Sequence, residues 1–248
     1  MNTIRAMIAA SALLLAGQVQ AASFTLDPAA LPGQATFDGL SKDLGAVIWM
    51  NPSNSAEPHS AGIIPVGVQA AIEVSSLAID PNDAHWTLMG LDLPSALPLP
   101  RLRLSAGIPF GLDLSYMVLS MPNSNVEMTG FEGRMAFGNF IPVPMLEANV
   151  RLYQSSLTGV TDLEVKSSGY AAMIGANLPV IKPYIEIGSV TTTSTPSGTL
   201  GLLVSEYSST DSTMAIGAKA ELAFFIVNIE KSKVGDKDLT SVKIGFEF

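Results

Sequence analysis

Thr240-Ser241-Val242-Lys243-Ile244-Gly245-Phe246-Glu247-Phe248 closes the chain. Successive side chains of a strand point to opposite faces, so Val242, Ile244, Phe246 and Phe248 share one face. Ser241, Lys243, Gly245 and Glu247 share the other. One face is apolar and the other is polar and charged. A half-buried strand of a soluble sheet shows the same alternation. Here it recurs upstream. Leu146, Ala148, Val150 and Leu152 oppose Glu147, Asn149 and Arg151, and Leu112, Leu114, Tyr116 and Val118 oppose Asp113, Ser115 and Met117. Behind an export signal, this recurrence predicts an all-β, closed antiparallel transmembrane β-barrel of the bacterial outer membrane.

The export signal is Met1 to Ala21. Arg5 supplies positive charge, Ala6 to Ala16 is apolar, and Val19-Gln20-Ala21 is a small-residue cleavage site. The apolar run is too short to cross a bilayer as a helix, and no later stretch reaches the roughly 20 apolar residues a spanning helix needs. Yet hydrophobic residues make up 48% of the chain and charged ones only 14%. The alternation assigns that apolar surface to lipid. There is no cysteine, so the chain carries neither disulfides nor a lipid anchor at the cleavage site. With 22 acidic against 13 basic residues, it is a poor partner for nucleic acid.

Residues 22–44 do not read as strand. Phe37, Leu40 and Leu44 recur at helical spacing, which predicts a short helical or irregular segment, either a periplasmic lead-in or a plug inside the lumen. Residues 45–248 read as the barrel. Its first candidate strand is Gly45–Met50, followed by a loop over Asn51–Pro65 and a strand over Val66–Ser75. Asp80-Pro81-Asn82-Asp83, Ile108-Pro109-Phe110-Gly111, Pro122-Asn123-Ser124-Asn125, Gly159–Asp162 and Gly235-Asp236-Lys237-Asp238 are turns. Ten strands are firm. Weak ones over Ala84–Leu91 and Thr199–Tyr207 raise the count to twelve. Twelve is preferred, because with ten the two long connections fall on the periplasmic side, where turns are short.

The block Pro100-Arg101-Leu102 through Gly107-Ile108-Pro109-Phe110-Gly111-Leu112-Asp113 resembles a family of uncharacterised proteobacterial outer-membrane β-barrel proteins. So do Thr158-Gly159-Val160-Thr161-Asp162-Leu163, Pro183-Tyr184-Ile185-Glu186-Ile187-Gly188 and the last six residues. The terminal aromatic strand is similar to the assembly signal of such proteins. The resemblance thus implies outer-membrane lipid and the barrel-assembly machinery as partners, the latter through Phe246 and Phe248. It supplies no catalytic or ligand residue.

The polar faces carry the charges: Arg101, Arg103, Asp113, Glu132, Arg134, Glu147, Arg151, Glu186, Lys219, Glu221 and Lys243. Arginine or lysine facing lipid near the midplane costs roughly 2–4 kcal/mol, so all are expected to face the lumen. They form either a mutually neutralising network that fills a narrow barrel or a charged constriction in a passive pore. His59 and His85 are expected in solvated loops. No Ser/His/acid set, metal spacing or phosphate loop stands out, so no catalytic residue, metal or cofactor is predicted. Tyr116, Phe131, Phe137, Phe140, Tyr153, Tyr170 and Phe246 read as an aromatic girdle. The expectation is a monomeric, non-enzymatic barrel. Its rivals are a lipid-modifying enzyme, a surface binding or adhesion protein working through Asn51–Pro65, and a lipocalin-like soluble barrel.

Overall fold

The computed structural model describes residues 24–25, 33–59, 66–87, 94–120 and 125–248. The signal region and residues 60–65 lie outside them. Ten antiparallel strands form the wall: β1 (Gly67–Ala78), β2 (Ala96–Ile108), β3 (Leu112–Ser120), β4 (Glu127–Ala136), β5 (Leu146–Thr161), β6 (Leu163–Ala176), β7 (Ile181–Pro196), β8 (Tyr207–Leu222), β9 (Phe225–Val234) and β10 (Lys237–Glu247). Each pairs with its neighbours in sequence, and β10 closes the ring on β1, with Ile244 opposite Ile72.

The count is ten, the alternative rather than the preferred twelve. Two differences from the expected strands offset each other. Gly45–Met50 is not a strand: it comprises the end of helix α1 (Gln34–Ile48) and the first two residues of the irregular stretch after it. The hairpin between β8 and β9 carries no turn signal. It reverses at Ala223 and Phe224, with Ala223 at φ 57, in the middle of the apolar run Leu222–Val227. Neither weak strand forms among the described residues, and 88–91 of the first lie outside them. Ala84–Thr87 is a short helix, α2, and Leu200–Leu202 is a single 3-10 turn. The barrel wall therefore begins at Gly67, not Gly45.

Removing one strand from the start also reverses the sides. Connections at the end carrying Phe248, here the near end, include Pro109–Gly111, 177–180 and Ala223–Phe224. The connections over 79–95 and 197–206 lie at the far end, as does the turn at Gly235. All the long excursions but 137–145 are now on one side, and the difficulty that favoured twelve strands disappears.

The faces of the wall invert partway up. In the near half, Val68, Ile72, Leu104, Leu114, Val150, Leu152, Ile185, Ile229 and Ile244 point outward, and the charged residues point inward and are buried. In the far half the pattern reverses. On β6, Glu164, Lys166 and Ser168 are exposed while Leu163 and Val165 are buried. On β10, Asp238 and Thr240 face out while Leu239 faces in. The near half is thus built like a membrane barrel and the far half like a soluble one. Tyr116, Phe131 and Tyr170 lie outward near the boundary, the first two with ring centroids 5.0 Å apart. Phe224 stacks with Phe246 and Phe248 at the near end. Tyr153 is a correction to the girdle: it points inward and is buried.

Helix α1 fills the far half. Phe37, Leu40, Val47 and Ile48 pack against Leu77, Leu99, Leu119, Val165, Val190 and Leu239 in one apolar core. Gly45 allows the close approach, since a Cβ there would stand 2.7 Å from Thr192 Oγ1.

The inversion gives a depth test. Val150→Arg, on the apolar band, should destabilise the barrel by roughly 2–4 kcal/mol in denaturant unfolding from vesicles. Gln154→Arg, on the same face and strand but at the boundary, should cost about 0–1 kcal/mol. Equal costs would mean that the band does not face lipid.

Candidate functional site: the clasped lumen

From Trp49 to His59 the chain runs through the near half of the lumen without helix or strand. Its backbone groups have no ladder partners, and each one left unpaired in the interior would cost about 1–3 kcal/mol. The wall supplies the partners. Ser155 Oγ donates to the carbonyl of Ile48. Arg101 donates to the carbonyls of Val47 and Trp49 and to Asn51 Oδ1 at 2.9 Å. Arg151 Nη1 donates to Met50 O at 2.7 Å. Arg103 donates to Asn51 O at 2.8 Å and Pro52 O at 3.3 Å. Arg134 donates to Ser55 O at 2.9 Å and Glu57 O at 3.1 Å. Asn149 Nδ2 donates to Ala56 O at 3.0 Å. All four arginines of the barrel wall thus grip main-chain carbonyls, in charge-assisted bonds worth about 1.5–3 kcal/mol each.

A ring of carboxylates holds the arginines in place. Glu186 takes Arg151 in a two-point contact, Nε to Oε2 at 2.8 Å and Nη2 to Oε1 at 2.7 Å. Glu132 accepts from the same guanidinium, and Tyr153 lies under it at 4.4 Å. Asp113 holds Arg134, and Glu73 lies against Arg101 and Arg103 at 3.4 Å. Some carboxylates also reach the plug. Glu230 accepts from Ser53 N at 2.7 Å and Asn51 Nδ2 at 3.1 Å, and Asp113 accepts from His59 N.

Of the residues singled out in the sequence, Arg101, Arg103, Asp113, Glu132, Arg134, Arg151, Glu186, Lys219 and Lys243 are buried in the lumen. Lys219 bonds Glu247 at 2.7 Å, and Lys243 donates to Gln69 Oε1 at 2.8 Å. Glu221 is half-buried at the near mouth, where Lys182 bridges it to Glu57. Glu147 is half-buried beside the turn at Gly138.

Both histidines correct the sequence reading, because neither is solvated. His59 is buried with Nδ1 3.1 Å from Asp113 Oδ2 and 3.2 Å from Arg134, and with Nε2 2.8 Å from Asn54. His85 is buried against Asp43 at 2.9 Å. Asp43, on α1, also accepts from Trp86 Nε1 at 2.8 Å and contacts Lys237. Asp43, Asp83 and His85 bring ligand atoms within 4.8 Å of one another, but the Lys237 ammonium already faces that carboxylate. The described part of the adhesion candidate, Asn51–His59, is inside the barrel and offers no surface.

Sequence reasoning missed Asp43, Glu57, Lys182 and Glu230, and it read His59 as solvated. Glu230 was hidden by the unsignalled hairpin: once β9 is drawn, Asn228, Glu230 and Ser232 fall on the inward face. Glu57 and His59 lie in a Pro-, Asn- and Ser-rich stretch whose composition is that of a surface loop.

No family model and no curated protein matches the sequence. Among solved structures, the chain is similar to the Ail protein of Yersinia pestis, in complex with a heparin analogue, at 9% identity and TM-score 0.30. That match covers 75% of this chain and 100% of Ail. It is similar to the KdgM porin at 10% identity and TM-score 0.37, covering 73% and 99%. Neisserial surface protein A matches at 11% and 0.31, covering 75% and 99%. Likeness at this level carries no weight for function, and the fold rests on the strand pairing described above.

Acid should loosen the far end of the plug. Burial raises the Asp43 carboxyl, but contacts from His85 and Lys237 outweigh it and hold the group below its ordinary 3.8. With the folded value below the unfolded one, the unfolded chain binds more protons, so this contribution to stability is complete above the ordinary value and is lost as pH falls. Asp43→Asn should therefore melt below the parent at neutral pH, and the gap between the two should narrow as pH falls below 3.8. A gap that stays constant down to about pH 3 would assign the acid loss to other carboxylates.

Proposed function

We propose that the protein is an integral barrel of the bacterial outer membrane, non-enzymatic, whose lumen is held shut by its own N-terminal segment. The observation that carries this reading is the row of wall donors on the carbonyls of Val47 to Glu57. A wet pore would leave these carbonyls to water and would need no such donors. The outward apolar band of the near half and the aromatic end at Phe248 support the membrane setting. The short near-end turns support a periplasmic near end. Export through a cleaved Met1–Ala21 signal and recognition of the terminal strand by the assembly machinery belong to the same proposal. Both histidines are bound by plug or wall groups, which favours a structural role for them over an enzymatic one.

Arg134 tests the closed lumen. Arg134→Ala would leave Asp113 buried without its main partner and release two plug carbonyls. Breaking a buried pair in this way costs roughly 3–5 kcal/mol. The variant should melt well below the parent, and both proteins should be silent in a planar bilayer. Steady conductance by the parent would replace the closed barrel with a pore. Recovery of the native protein in the soluble periplasmic fraction, with no gel shift between unheated and boiled samples, would remove the membrane reading altogether.

A further inference from the structure

The direction in which the plug runs is fixed at both ends. At the far mouth, Gln34 exchanges hydrogen bonds with Ser205 of the β7–β8 connection, donating to its carbonyl at 3.1 Å and accepting from its amide at 2.8 Å. Phe24 and Thr25 pair in parallel with Val160 and Thr161, at the far end of β5. At the near mouth, the His59 amide meets Asp113 close to the start of β3, and β1 begins at Gly67. The chain therefore passes once through its own barrel, from far mouth to near mouth, before the first strand starts.

Resting on the outer-membrane reading, the far mouth is the cell exterior, since the longest connections lie there and the near end is periplasmic. An exported chain reaches that membrane from the periplasmic side. We propose that the barrel carries its own N-terminal segment across the membrane, leaving Phe24–Thr25 and the start of α1 at the cell surface, with the lumen stretch as the trailing part of that passage. The clasp suits such a passage. Its donors read main-chain carbonyls, which every residue presents, so the wall can hold successive parts of a moving chain without selecting side chains. The apolar face of α1 then fits the apolar far half and stops the movement.

The chain has no cysteine, so single cysteines report sidedness without background. The probe is a maleimide on a polyethylene glycol too large for outer-membrane pores, applied to intact cells. Ala35→Cys, exposed at the start of α1, should be labelled as fully as Asp236→Cys at the far-end turn. Val143→Cys, exposed at the near end, should react only after the outer membrane is permeabilised. Thr25→Cys repeats the measurement whatever α1 tolerates. If Asp236→Cys and Val143→Cys behave as stated while Ala35→Cys and Thr25→Cys follow Val143→Cys, the proposed passage is wrong and the barrel stands. If Val143→Cys is labelled in intact cells, the membrane orientation itself fails and the passage with it.

Discussion

An irregular stretch of backbone inside a closed barrel cannot use the barrel's own ladder, because every strand is already paired on both sides. Its carbonyls must find donors among side chains or stay unbonded in a low-dielectric interior, where each unmade bond is expensive. The rest of the near half follows from that constraint. Guanidinium groups are the apt donors, since each presents several N–H groups in a rigid plane and stays charged. Four buried cations then require carboxylates around them, and Glu73, Asp113, Glu132 and Glu186 answer that need. The ion pairs are therefore the framework that aims the donors. Taken alone they would contribute little net stability, because burying two charges offsets much of their attraction.

The far half meets its plug differently. There the segment is helical and satisfies its own backbone, so the wall can be apolar. Leucine and valine line it, and the helix contributes Phe37, Leu40, Val47 and Ile48. Asp43 is the one carboxylate that α1 buries in this half. It fastens the helix to α2 through His85 and Trp86 and to the last turn through Lys237. The change from helix to extended chain near Ile48 coincides with the change of the inner wall from apolar to charged. It coincides too with the outer change from polar to apolar side chains. A single level in the barrel thus sets the plug's conformation, the chemistry of the lumen and the edge of the lipid-facing band.

The sequence made the wall legible because lipid leaves little freedom on one face. Runs such as Leu146 to Leu152 and Val242 to Phe248 could be assigned to inner and outer faces directly. The arginines could be sent inward on energetic grounds alone. What they bind there could not be read, because main-chain carbonyls have no side-chain signature. Phe37, Leu40 and Leu44 marked a helix, yet helical spacing does not say whether the apolar stripe meets a barrel interior or another surface. Asn51 to His59 misled for a physical reason. A segment whose hydrogen bonds are supplied by the wall needs no periodicity of its own, so it has the composition of a loop. The reversal at Ala223 was hidden in turn, because a non-glycine residue with positive φ leaves no mark in an apolar run.

Recognition through carbonyls places an unusual limit on how this protein can change over evolutionary time. Side chains between Trp49 and Glu57 that make no wall contact can be exchanged without disturbing a single guanidinium bond, because the atom being held is common to all amino acids. Spacing is another matter. One inserted or deleted residue shifts every later carbonyl by about 3.3 Å along an extended chain, farther than the tolerance of a hydrogen bond. The lumen therefore works as a ruler. It should accept broad drift in composition over this stretch while preserving the number of residues between the end of α1 and His59.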